Sequence, residues 1–398
     1  MSIGTFINDS LVKVINAERR VDPYFRDGLD AVLKRPLEAL AQAIIRRRLK
    51  DQGLALAEEK LLPDEARYGQ GITECLAQFS HQHYKAGQHV ERVGNSKTYG
   101  VVRAEFEVLP GLPAELRQGI FSQPRTYKAW VRFAGPGPLV PPDLDDNGIL
   151  SIGIKLMGVA GEKIWDHEKW TQDFTGLSCP TFTTSDVASN LELQRQLIKG
   201  TPVFYFLTHP LDGLMQALYS RTQSNPLEVL YWSCTPYLYG EGRAVKFAIR
   251  PTSADKTPFP RHPSDNYLRA AMVDTLSRKA VTFDFMVQLQ TDSRRMPIEN
   301  AALRWPEKLS PFRTVAKLRI PSQKFDSPQQ LAFADKLSYN PWHAIPEHRP
   351  LGNLNRARRA MYEYLSNLRL SMNHLPHVEP TGDEVFEDSA AGTSVTLS

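Results

Sequence analysis

The sequence predicts an α+β fold, an antiparallel β-barrel with inserted and C-terminal helices, on three observations. At least six segments alternate apolar and polar residues; helical periodicity falls outside those segments; and the last strong pattern is an amphipathic helix, NLNRARRAMYEYLSNLRLSMN, at 353–373. Alternation marks strands whose two faces differ, as in antiparallel sheets. Six of them in one chain imply a large sheet or a closed barrel.

Composition narrows the function classes. At 398 residues the chain is long enough for one large domain or two ordinary ones. Its 48 basic and 44 acidic residues leave a net charge of +4, too mild to imply a nucleic-acid partner. Cys75, Cys179 and Cys234 are widely separated and form no C-x-x-C, so neither a zinc site nor a disulfide framework is expected, and a reducing compartment is. No secretory signal is read at the N-terminus, and no apolar run approaches the roughly 20 residues that span a bilayer. The expected location is cytoplasmic.

Residues 1–68 read as an N-terminal helical arm, with Pro36 expected to break it into two pieces. The cluster Arg46-Arg47-Arg48 with Lys50 reads first as a solvated helix face and second as a weak contact with an acidic membrane surface. Packing of the arm on a second subunit, giving a homo-oligomer, is a further expectation. The main domain covers 69–375. YGVVRAEFEV sets Val102, Ala104, Phe106 and Val108 against Arg103, Glu105 and Glu107, and TYKAWVRF sets Tyr127, Ala129, Val131 and Phe133 against Lys128, Trp130 and Arg132. SIGIKL, RAVKFAIR, VTFDFMVQLQ and FRTVAKLRI repeat the pattern, and the arginines at 103 and 132 are expected by default to face solvent. Helical stretches follow Asp186 (SNLELQRQLIKG) and span 266–280. LSYNPWHAIPEHRPLGNLNR, 337–356, reads as an ordered loop; His343 and His348 lie five apart between prolines without companion ligands, so no metal site is read there. Residues 376–398 are acidic and small and are expected to be a disordered tail.

On the helix at 353–373, Leu354, Ala357, Met361, Leu365, Leu368 and Met372 form one stripe. Beside it run Arg358, Tyr362 and Arg369. Four residues along a helix bring a guanidinium over a phenol on the same face. A nearby cation favours the ionised form of a phenol, and a phenolate is an oxygen ligand suited to ferric haem. Taken alone, R-x-x-x-Y reads first as a core Tyr beside a packed Arg stem.

The ordered set of segments resembles the catalase superfamily over about residues 90–370, especially its shorter, allene oxide synthase-like branch. The family's R-x-x-x-Y maps onto Arg358 to Tyr362, which makes Tyr362 the implied iron ligand of haem b. The resemblance implies that Arg369 meets a haem propionate, as does Arg132 in VRFAGP, which is similar to V-R-F-S. SIGIKLMGVAG, QDFTGLSCPTFTTSD, FRTVAKLRIPSQKF and LSYNPWH resemble the segments that follow in the family. The departures lie on the distal side, where catalases carry a His, a supporting Ser and an Asn. RVGNSKTYG places Asn95 at the His position, with one gap in the match; Ala134 replaces the Ser and Leu177 the Asn. With another register, Lys97, Tyr99 or His89 would enter the pocket instead.

Splitting hydrogen peroxide heterolytically needs a proton moved between its oxygens, general acid–base work of roughly 10²–10⁴-fold. Asn does not titrate and Leu makes no hydrogen bond. The expected function is therefore a haem-dependent oxidoreductase or isomerase, a peroxidase-like enzyme, acting on an organic, fatty-acid-like hydroperoxide with weak or no catalase activity. In that reading Asn95 orients the peroxide, Leu177 gives an apolar wall, and Phe133 and Phe182 line the cavity. Two alternatives stay open: a catalase-fold enzyme turned to another haem-dependent biosynthetic oxidation, and a non-enzymatic haem-binding or haem-free descendant.

Overall fold

A computed structural model describes residues 3–386. The arm holds helices α1 (Ile3–Leu29) and α2 (Arg35–Arg48). Pro36 does not break it in two. One π-helical turn, Asp30–Lys34, carries the helix onward, and Pro36 falls in the first turn of α2, where proline is tolerated. The arm docks on its own chain: Arg26 Nη2 donates to the carbonyls of Ala217 and Leu218 at 2.8 and 3.1 Å, and Gln42 Nε2 donates to that of Ala302 at 3.0 Å. Its outer side leaves Phe6, Val14, Tyr24 and Val32 exposed. No helix among the described residues is long and apolar enough to cross a membrane.

The remaining elements are α3 (Glu65–His83), β1 (Thr98–Val108), β2 (Thr126–Ala134), β3 (Ser151–Met157) and β4 (Thr171–Leu177). Then come α4 (Val187–Ile198), α5 (Val203–Thr208), α6 (Pro210–Tyr219), β5 (Tyr231–Trp232), β6 (Tyr237–Leu238), β7 (Ala244–Pro251) and α7 (Tyr267–Arg278). β8 (Val281–Leu289), β9 (Arg313–Ile320), α8 (Pro328–Lys336) and α9 (Asn353–Met372) complete the chain. The strands pair antiparallel in the order β5-β4-β3-β2-β1-β9-β8-β7-β6, and β5 also pairs with β7, closing an eight-stranded barrel with β6 beside β7. Closure removes free sheet edges. The six expected strands are β1–β3 and β7–β9; the two short strands and β4 had not been read.

Every second residue of β1–β3 enters the barrel. Phe106, Phe121, Phe174, Phe247 and Phe285 fill its centre, with ring centroids from 4.9 Å (Phe174–Phe285) to 6.4 Å (Phe121–Phe174). His348 caps this cluster, its centroid 5.3 Å from that of Phe121, and its Nε2 accepts from the Ile120 N–H at 3.1 Å. Burial holds the His348 pKa down to about 4. The unfolded chain therefore takes up this proton first, and stability falls as pH drops from the ordinary value of 6.5 towards 4. Urea titrations should show a loss reaching about 3 kcal/mol at the acid end, and His348→Gln should lose less over the same range; an equal loss would assign the acid sensitivity elsewhere.

The outer faces of β1–β4 are covered too, which corrects the expectation that Arg103 and Arg132 face solvent. Arg103 lies over the Trp130 ring at 4.7 Å, and Arg132 is buried. The start of the expected tail supplies part of this cover. Glu384 Oε2 accepts from Trp130 Nε1 at 2.8 Å, and the Phe386 ring packs 5.4 Å from that of Phe333 on α8. Residues 376–386 are therefore not a free tail, because an indole and an apolar patch receive them; the rest of the expected tail, 387–398, lies outside the described residues.

Candidate active site

Cross-strand registry builds one wall of the site. Arg132 on β2 pairs with Gly153 on β3, which pairs with Thr175 on β4; Ala134, Ser151 and Leu177 form the next such row. Directly opposed residues share a face, so both rows look outward. A Cβ at Gly153 would lie 2.8 Å from the Tyr339 ring, so glycine lets that ring lie against the wall.

α9 supplies the facing wall. The Asn353 side chain fixes its start, accepting from the Val187 N–H at 2.9 Å and donating to the Glu299 carbonyl at 2.9 Å. Arg356, in its first turn, meets Glu59, Glu65 and Glu299. Four of the six residues of the expected stripe, Leu354, Ala357, Met361 and Leu365, pack with Ile72, Leu76 and Leu191 of α3 and α4; Leu368 and Met372 are not part of that cluster. Arg358, Tyr362, Ser366 and Arg369 run along the neighbouring line of α9.

Between the walls lies a cavity of about 460 Å³. Asn95, Arg132, Leu177, Phe182, Arg358, Tyr362 and Arg369 all border it, bringing together seven of the eight residues singled out from sequence. The eighth, Phe133, is corrected. It points into the barrel, its ring 6.1 Å from that of Tyr231, because neighbours on a strand face opposite sides and Arg132 takes the cavity side.

Arg358 lies over the Phe182 ring at 5.0 Å and donates to Asn355 Oδ1 at 3.0 Å and Thr235 Oγ1 at 3.3 Å. Tyr362 borders the cavity one turn after Arg358. Asn95 adopts a left-handed backbone, φ +51°, a region asparagine enters more readily than most residues. Its carbonyl accepts from Arg132 Nη2 at 2.6 Å, which leaves the amide side chain at the cavity edge. The other distal candidates are elsewhere. Lys97 is tied to Asp143 at 2.7 Å and to the Pro141 and Asp265 carbonyls; Tyr99 belongs to the barrel core; His89 is exposed beside Glu91 and Asp335.

Among the lining residues that were not singled out from sequence are Arg92 and Tyr339. Arg92 lies three residues before Asn95, the one sequence cue to it. Its Nη2 donates to the Ala334 and Leu337 carbonyls at 2.7 and 2.9 Å, while its buried Nη1 has no hydrogen-bond partner. Arg92, Arg132 and Arg369 gather at one part of the cavity. Burial, then the like charge of Arg92, pushes Arg132 well below the usual arginine range and Arg369 to about 9. Guanidinium groups keep their protons, so these directions mark a buried cationic cluster, with Asp335 Oδ1 3.7 Å from Arg92 Nη1 as a nearby counter-charge. Among the described residues, no His, Asp, Glu, Lys or Cys borders the cavity. The described lining therefore offers phenols, amides, hydroxyls, arginines and apolar walls, but no carboxylate, imidazole, amine or thiol.

No protein-family model and no curated protein matches the sequence. Solved structures do. Catalase A from Saccharomyces cerevisiae superposes with a TM-score of 0.58 at 14% identity, over 87% of this chain and 74% of that one. A fungal catalase gives 0.53 at 13%, over 88% and 72%, and a bacterial catalase 0.54 at 13%, over 90% and 75%. The chain thus has the catalase fold.

Proposed function

We propose that the cavity holds haem b with Tyr362 as the iron ligand, and that the chain acts on an organic, fatty-acid-like hydroperoxide with weak or no catalase activity. The observation that carries this reading is a cavity bordered by the Tyr362 phenol and an arginine cluster, with no His, Asp, Glu, Lys or Cys among the described residues that line it. The residues fit the group. Arg92, Arg132 and Arg369 would hold its two propionates, giving a hydrogen-bond acceptor to Arg92 Nη1, which has none and faces Asp335 at 3.7 Å. Tyr362 offers an oxygen donor and Arg358 a cation one turn before it on the same helix. Bound there, haem supplies a redox-active iron for opening an O–O bond.

The chain's own residues set which peroxide is served. Leu177, Phe182, Ile72 and Leu76 favour an alkyl chain by excluding water from its surface. The Asn95 amide can donate to and accept from a peroxide oxygen, orienting it without exchanging protons. With no base at the cavity, the proton shift that heterolysis of hydrogen peroxide needs is unassisted. On haem-loaded protein, kcat/KM for a fatty-acid hydroperoxide should exceed that for hydrogen peroxide by about 10² or more. Equal turnover of the two would overturn the substrate class, and loss of turnover without haem would tie the activity to the cofactor.

A further inference from the structure

One row along the outer face from Arg132, Trp130 pairs with Lys155 and Lys155 with Asp173. Lys155, Glu168 and Asp173 are fully buried together, Lys155 bonding Glu168 and lying 2.8 Å from Asp173 Oδ1. His343, from the loop before α9, brings its Nδ1 to 2.9 Å from Asp173 Oδ2. An ionised carboxylate only accepts, so Nδ1 carries the proton and Nε2 keeps a lone pair. That Nε2 lies 3.2 Å from His167 Nδ1. His377, just beyond α9, packs on His167 with centroids 4.2 Å apart, and its Nε2 lies 3.3 Å from Glu168 Oε1. Glu168 Oε1 and both His377 nitrogens are buried without a hydrogen-bond partner. Unsatisfied buried polar atoms are costly and uncommon, and these sit where three imidazoles converge.

We propose that His167, Glu168, His343 and His377 bind a divalent first-row transition-metal ion, with zinc the best fit. Nitrogens 3.2 Å apart are spaced like two corners of a tetrahedron with metal–nitrogen bonds of about 2.0–2.1 Å. Three imidazoles and a carboxylate are a zinc donor set. Asp173 holds the His343 ring by its far nitrogen, the support that metal-bound histidines commonly have. Lys155 offsets one of the two carboxylates, so one negative charge remains for the cation. His167, Glu168 and His343 bring donor atoms within 4.8 Å of one another, and His377, its Nε2 3.3 Å from Glu168 Oε1, would swing in as the fourth donor; four protein donors would make the site structural. It joins three segments distant in sequence, those around 167, 343 and 377, and the last two flank α9. The companion ligands that His343 lacks in its own loop come from those other segments.

The test uses the full chain as purified, titrated with Zn²⁺ in competition with a chromophoric chelator, and is independent of haem content. One zinc per chain is expected, with Tm raised by about 3 °C at a hundredfold excess over Kd. His167→Ala and His377→Gln should lose both effects, with His377→Gln keeping the wild-type Tm in chelator, which separates metal loss from misfolding. His89→Ala, at the other His–acid group (His89, Glu91, Asp335), should retain both. No zinc bound at micromolar concentration, or one zinc that survives in His167→Ala and His377→Gln but vanishes in His89→Ala, would overturn the assignment.

Discussion

Tyr362→Phe, expressed with haem precursor, is expected to lose its Soret band, while the wild-type protein shows one with high-spin ferric tyrosinate features. Phenylalanine keeps the ring on α9 and removes the phenol oxygen one turn after Arg358. Losing a group that merely supports a metal ligand costs roughly 10–100-fold in affinity, so losing the ligand itself should lower haem retention by at least that much. The arginine cluster is unchanged by the substitution and would keep any haem that binds through its propionates alone, with an altered spectrum. No Soret band in either protein would sink the haem reading and leave a catalase-shaped scaffold without its cofactor.

Asn95→His should raise oxygen evolution from hydrogen peroxide by about 10²-fold in haem-loaded protein, the lower end of what a positioned acid–base group contributes. The backbone at 95 already has φ +51°, a region that histidine, like asparagine, enters more readily than most residues. The gain should fall short of the full range because Ala134 and Leu177 give the new imidazole no polar support. Restoring Ser at 134 and Asn at 177 should increase it further. Turnover of the organic hydroperoxide should not rise in parallel. An intact Soret band with unchanged oxygen evolution would mean that Asn95 does not face the bound peroxide.

The barrel was legible where strands have one apolar and one polar face, as in TYKAWVRF and YGVVRAEFEV. It was less so in β4, where QDFTGL is covered on both sides and loses alternation, and β5 and β6 are two residues long. That Tyr362 and Arg358 share one face of α9 was legible from helical spacing, whereas the role assigned to them came from the family resemblance. Arg92 was not, since a buried arginine and a solvated one look alike in sequence; its partners are carbonyls at the end of α8, more than two hundred residues away. Phe133 was misplaced by putting adjacent strand residues in one pocket. The segment 376–386 was misread because its composition is that of a tail, while the surface receiving it, Trp130 and Phe333, lies elsewhere in the chain.

The rows that alternate along β2 and β3 divide inheritance as well as space. Phe133, Ile152 and Ile154 answer to the barrel core, whereas Arg132, Ala134, Ser151 and Gly153 answer to what lies outside it. A mutation at one of the outward positions changes what the cavity meets and leaves the aromatic interior untouched. Such a scaffold can lose one reaction and try another by single steps, each still a folded protein and open to selection.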